Sequence, residues 1–151
     1  MSILTQAKEL LENSDCVSAD VRLLSEDESY NYIQKTMNKF KPEQYWGHLC
    51  IGKGTILLPI DIHEFSYTNI LPEESGYIFF EQTTETQKRT VVWISDIRQA
   101  GTLFENSFGM EYFLSNENSD YLIAVNWYVV EISGEKAEAL FEGLPGMKRR
   151  S

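Results

Sequence analysis

The 151-residue chain sets 23 Asp and Glu against 13 Lys and Arg. The resulting formal charge of −10 disfavours nucleic acid and anionic membranes as partners, because both need cations to neutralise phosphate. A content of 42% hydrophobic and 13% aromatic residues is ample for a core and argues against disorder, so a single domain is expected.

Ser2 is placed to cap a first helix in which Ile3, Leu4, Ala7, Leu10 and Leu11 form one stripe, ended by Asn13-Ser14-Asp15. Ser25-Glu26-Asp27-Glu28 is a capping box for a second helix, with Tyr30, Ile33, Met37 and Phe40 as its apolar face and Pro42 as its stop. From Tyr45 the period changes to that of strands. Trp46, His48 and Cys50 would share one face of the first strand, interrupted at Gly47. Gly52-Lys53-Gly54 turns the chain into a strand over Thr55–Ile62, where Pro59 favours an edge or a bulge. Tyr77–Gln82 and Arg89–Ile94 make a hairpin around Thr83–Lys88.

Ser95-Asp96 then caps a helix reaching about Asn106, which Gly101 weakens in its middle. Met110–Leu114 and Tyr121–Val125 pair around Ser115–Asp120, and Trp127–Ile132 continues or adds a strand. Glu135–Gly143 is a short last helix, Pro145-Gly146 ends the ordered region, and Met147–Ser151 is a basic tail with some flexibility. The expected architecture is therefore a single α+β domain over residues 1–146, followed by the tail 147–151. It has a mostly antiparallel twisted sheet of about five to six strands, two N-terminal helices, one middle helix and a short C-terminal helix.

Few residues point to a reaction. On a strand, Asp61 and His63 would point the same way and suit a divalent metal, but no third or fourth ligand stands at a recognisable spacing. His48 and Cys50, two apart on a strand, would lie about 6–7 Å from each other, too far for a thiolate–imidazolium pair. Gly52-Lys53-Gly54-Thr55 lacks the spacer and ending of a phosphate loop, and Ser107-Phe108-Gly109 does not form a nucleophile elbow. No catalytic residue, metal or cofactor is expected. Met1–Thr5 has neither a basic region nor a long apolar run, and Cys16 and Cys50 are the only cysteines, so a cytoplasmic protein with reduced thiols is expected.

The charge pattern is more informative. Between Gly54 and Glu135 stand twelve carboxylates and only three cations, Lys88, Arg89 and Arg98. Such a surface attracts a cationic protein. Asp61, Glu64, Glu73, Glu74, Glu81, Glu85, Glu117 and Asp120 are the candidate steering and rim residues, and Trp46, Tyr67, Tyr77, Trp127 and Tyr128 the candidate aromatic anchors.

In its size, acidity, single α+β domain and lack of a catalytic motif, the chain resembles the small immunity proteins of bacterial toxin–immunity systems, including contact-dependent growth inhibition. The segment Phe104–Leu114 followed by Asp120–Val125 also resembles the C-terminal part of an uncharacterised family of small bacterial domains. The immunity resemblance implies a non-enzymatic inhibitor that covers the active or substrate surface of a cognate basic toxin domain, in many such systems a nuclease. It carries over no functional residue, and the Trp-x-x-x-Tyr-Gly signature of the common immunity superfamily is missing. The alternatives are a small metal-dependent or ligand-binding enzyme centred on Asp61 and His63, and an adaptor or regulatory domain without a toxin partner.

Overall fold

The period-two patterning closes into one eight-stranded antiparallel sheet in the computed structural model, which describes residues 3–151. Its strands are β1 (Val21–Leu23), β2 (Ile56–Pro59), β3 (Gly76–Phe79), β4 (Val92–Ile94), β5 (Tyr112–Ser115), β6 (Leu122–Val125), β7 (Val129–Ser133) and β8 (Lys148–Arg149). Their order across the sheet is β1-β4-β3-β5-β6-β7-β2-β8. Six α-helices surround the sheet among the described residues: α1 (Thr5–Glu12), α2 (Glu26–Phe40), α3 (Ile60–His63), α4 (Glu85–Lys88), α5 (Ala100–Glu105) and α6 (Glu135–Phe141). Ser2, the expected cap of the first helix, lies outside the described residues. None of the described helices is long and apolar enough to cross a membrane.

Register explains how the sheet buries both faces. Ile78, Leu114, Ile123, Ile132 and Ile56 are aligned partner to partner across five strands, and all belong to the larger core, which also holds Ala7, Leu10, Leu103 and Phe141 from the helices. One residue on, Phe79, Phe113, Ala124 and Glu131 form the opposite row, and the first three pack in a second core with Tyr32 and Ile33 of α2 and with Leu49 and Ile51. A strand buried on both faces reads as a continuous apolar run, as Leu122–Val125 does.

α2 begins at the expected capping box: Ser25 accepts from the Glu28 amide, and the Glu28 carboxylate accepts from that of Ser25. Its buried face is Ser29, Tyr32, Ile33 and Thr36, displaced from the expected Tyr30, Ile33, Met37 and Phe40. Hydrogen bonds account for the difference. Ser29 Oγ accepts from the Val91 amide, and the Thr36 and Ser119 hydroxyls are hydrogen-bonded to each other, so short polar side chains are accommodated inside.

Eight strands and six α-helices, among the described residues, replace the expected five to six strands and four helices, and four local expectations are corrected as well. Residues 45–51 make no strand: only Gln44 and Cys50 bridge, and the chain between them loops out through Gly47 at φ +62°. The strand over Thr55–Ile62 stops at Pro59, and Ile60–His63 turns helical. Thr83–Lys88 contains the short α4, whose cap is a reciprocal Thr84–Gln87 box. Finally, the C-terminal residues do not trail away. Lys148 and Arg149 pair with Leu57 and Ile56 as the edge strand β8, and Gly54 and Thr55 exchange backbone bonds with Arg150.

Candidate binding surface

Charge in the fold falls into groups that sequence proximity does not reveal. Glu131, one of the twelve acids, is fully buried in the row of Phe79, Phe113 and Ala124. Its carboxylate accepts from the amides of Ile51 (2.7 Å) and Gly52 (3.1 Å), from Thr55 Oγ1 (2.6 Å) and from Arg150 Nε (3.0 Å). It belongs to the scaffold, clamping the loop before β2 and the C-terminus onto the sheet. Asp96 is likewise internal: Arg98 donates to both of its oxygens, holding its carboxyl below the usual range.

The candidate residues divide between the two ends of the sheet. At the end where β3 begins and β5 finishes, Glu74 accepts from Tyr121 Oη (2.9 Å) and Asn116, and Asp120 accepts from the same Asn116 amide. Those carboxylates hold the β5–β6 loop. Glu73 reaches Arg98, and Glu117 is exposed. Tyr77 is not an open anchor, since its ring stacks on Tyr32 at 4.3 Å. A concavity of about 540 Å³ beside that stack is lined by Arg22, Lys35, Trp93 and Glu117 among others, with the Arg22 guanidinium already lying over Trp93. Tyr67 is excluded as an anchor. It is buried in the larger core, its hydroxyl bonded to that of Tyr112 at 2.7 Å.

The opposite end differs in kind. There the 45–48 loop meets the β6–β7 turn: Asn126 Nδ2 donates to Leu49 O, and the Gln82 amide donates to Tyr45 O. Tyr45 (39% exposed), Trp46 (48%), Trp127 (51%) and Tyr128 (66%) all open to solvent here. The Tyr45 and Trp46 rings meet edge to face at 5.0 Å, the His48 and Tyr128 rings lie 5.2 Å apart, and the Trp127 ring reaches over Gly109. Glu111 lies against the same loop. Its Oε1 accepts from the Leu49 amide at 2.9 Å, and its Oε2 lies 3.7 Å from His48 Nδ1. Burial pushes the Glu111 carboxyl up, the Leu49 amide and His48 pull it down, and nearby Glu81 adds repulsion. The structure therefore brings together Trp46, Trp127, Tyr128 and Glu81 and adds Tyr45, His48 and Glu111. An acid following Met110 at the start of a strand gave no signal that it would lie against an aromatic loop distant in sequence.

Asp61 and Glu64 lie beyond β2, in a second concavity with Phe65, Asn69, Thr102 and Glu105, and burial raises the Glu64 carboxyl. Because Ile60–His63 is helical, Asp61 is exposed while His63 turns inward, with Nε2 2.7 Å from Pro145 O. The two do not share a face. Cys50 likewise faces Glu43 rather than His48, its Sγ 3.9 Å from Glu43 Oε2. Glu85 opens α4 and pairs with Arg89 at 3.5 Å. Among the described residues no three His, Cys, Asp or Glu side chains group as a metal site. Comparison of the chain with protein-family models, with curated proteins and with solved structures finds no match.

Proposed function

We propose that this protein is an immunity-type inhibitor that binds and neutralises a cationic protein toxin domain, docking through the aromatic end of its sheet. The observation that carries this reading is the exposure of Tyr45, Trp46, Trp127 and Tyr128 on a loop and a turn that meet at one end of the sheet, in a chain of charge −10. Tyr and Trp are the side chains that anchor protein interfaces, and clustered exposure of this sort has no folding benefit. The negative field steers a basic partner to this surface and makes the association rate fall with salt.

The test is co-expression with any basic toxin domain found encoded beside this gene. The protein should co-purify with that domain and relieve its toxicity, and Trp46→Ala with Trp127→Ala should weaken the complex by about 30-fold or more, the scale of an interface anchor. Glu73→Lys at the far end should change the association rate far less than Glu81→Lys. Absence of any toxic neighbour, or protection unaffected by the aromatic substitutions, refutes the proposal.

A further inference from the structure

We propose that the aromatic end of the sheet receives an arginine side chain of the partner, its guanidinium lying against the Tyr128 ring and turned toward the Glu111 carboxylate. This rests on the reading of the protein as an inhibitor of a cationic protein.

The support is a comparison within the molecule. Asp96, Glu131 and Glu138 have side chains largely or wholly buried, and each owns an arginine: Arg98, Arg150 and Arg149 respectively. Glu111 is as buried as they are, its side chain only 10% exposed, yet no Lys or Arg among the described residues reaches it. The one basic side chain beside it is the imidazole of His48. A desolvated carboxylate without a matched cation is costly to keep, and an arriving cation relieves that cost.

His48 marks the geometry of the occupant. Its planar ring stands near both groups, with Nδ1 3.7 Å from Glu111 Oε2 and the ring centroid 5.2 Å from that of Tyr128. A guanidinium is also planar, remains charged at any working pH, stacks on phenol rings and forms directed bonds to carboxylates, whereas an ammonium satisfies only the charge. The His48 side chain is half exposed and lies on the loop that turns through Gly47, outside the strands, so displacing it disturbs no ladder. Tyr45, Trp46 and Trp127, exposed on the same loop and turn, add apolar surface at this end of the sheet.

The experiment titrates the ¹⁵N-labelled full-length chain with capped hexa-arginine and capped hexa-lysine peptides, following the indole N–H signals of its three tryptophans, Trp46, Trp93 and Trp127. Hexa-arginine should move Trp46 and Trp127 but not Trp93, and should bind about tenfold more tightly than hexa-lysine. Either Tyr128→Ala or Glu111→Gln, which keeps the acceptor for Leu49, should bring the two peptides to the same affinity. Equal affinities for the unmodified protein, a preference that survives both substitutions, or shifts centred on Trp93 would overturn the assignment. So would a concentration-dependent dimer abolished by Trp127→Ala, which gives the surface to a second copy. A missing toxin partner sinks the proposed function and leaves the peptide result standing, while a toxin whose capture needs Trp46 and Trp127, together with equal affinities for the two peptides, sinks the arginine assignment alone.

Discussion

Replacing Glu131 by alanine probes the internal clamp, and the size of the effect follows from the fate of four donors. The Ile51 and Gly52 amides belong to buried residues and lose the acceptor they hold at 2.7 and 3.1 Å. Each orphaned buried amide costs about 1–3 kcal/mol. Thr55 keeps a second acceptor in Gly52 O, and the partly exposed Arg150 turns to water, so both add less. The total is about 3–5 kcal/mol, a large share of the roughly 5–15 kcal/mol that holds a domain together. Arg150→Ala leaves the carboxylate with three donors and should cost about 1–3 kcal/mol, discounted because the guanidinium reaches solvent. Glu131→Leu should not rescue the loss, because an apolar side chain in that row still strands the two amides. Urea unfolding followed by tryptophan fluorescence gives each value from the midpoint at unchanged slope. A Glu131→Ala cost below about 1 kcal/mol, or one equal to that of the exposed control Glu105→Ala, would refute the clamp.

Two further predictions rest on other contacts. Gly101→Ala should destabilise by about 2–3 kcal/mol despite alanine's better helix propensity, as measured by the same unfolding assay, and a stabilised variant would contradict the packing. A Cβ there would stand 2.1 Å from Phe65 O and 2.8 Å from Thr68 Oγ1, and the first of these is backbone that cannot yield without moving the chain. Glu111→Gln should stabilise the free protein at neutral pH while weakening arginine binding. Its native carboxyl, raised by burial, holds a proton where the unfolded one has lost it, so its contribution to stability falls as pH climbs from about 4.3 through the native value. The gain over wild type should therefore disappear below about pH 4, with His48, Glu81 and Tyr128 as the other titratable groups at the site, and a pH-independent difference in ΔG would contradict it.

Local chemistry was legible wherever the residues that decide a structure are neighbours in the chain. The Ser25–Glu28 box and Pro42 bound α2 from within its own sequence, and alternation with short intervening segments announced the β3–β4 and β5–β6 pairs, while β7 was left open as a continuation or a separate strand. Antiparallel α+β architecture followed from those pairs. The edges did not. β1 and β8 contain three and two residues, too few to show a period, and exist because β4 and β2 offer them unpaired backbone. Burial of individual polar groups was equally hidden, since Glu131 and Glu73 are alike in sequence. Only the fold supplies Glu131 with Arg150 from nineteen residues away and leaves Glu73 on the surface.

Composition determined the sign of the chain's own charge and the number of its aromatic rings; tertiary structure alone decided which rings reach solvent. Tyr67 and Tyr77 are taken up by the fold, one in the core and one under Tyr32, while Trp46, Trp127 and Tyr128 are carried to solvent by a loop and a turn that meet only when the sheet closes. A side chain's type sets what it can bind, but its exposure is a property of everything packed around it, and that is written in contacts between residues far apart in the chain.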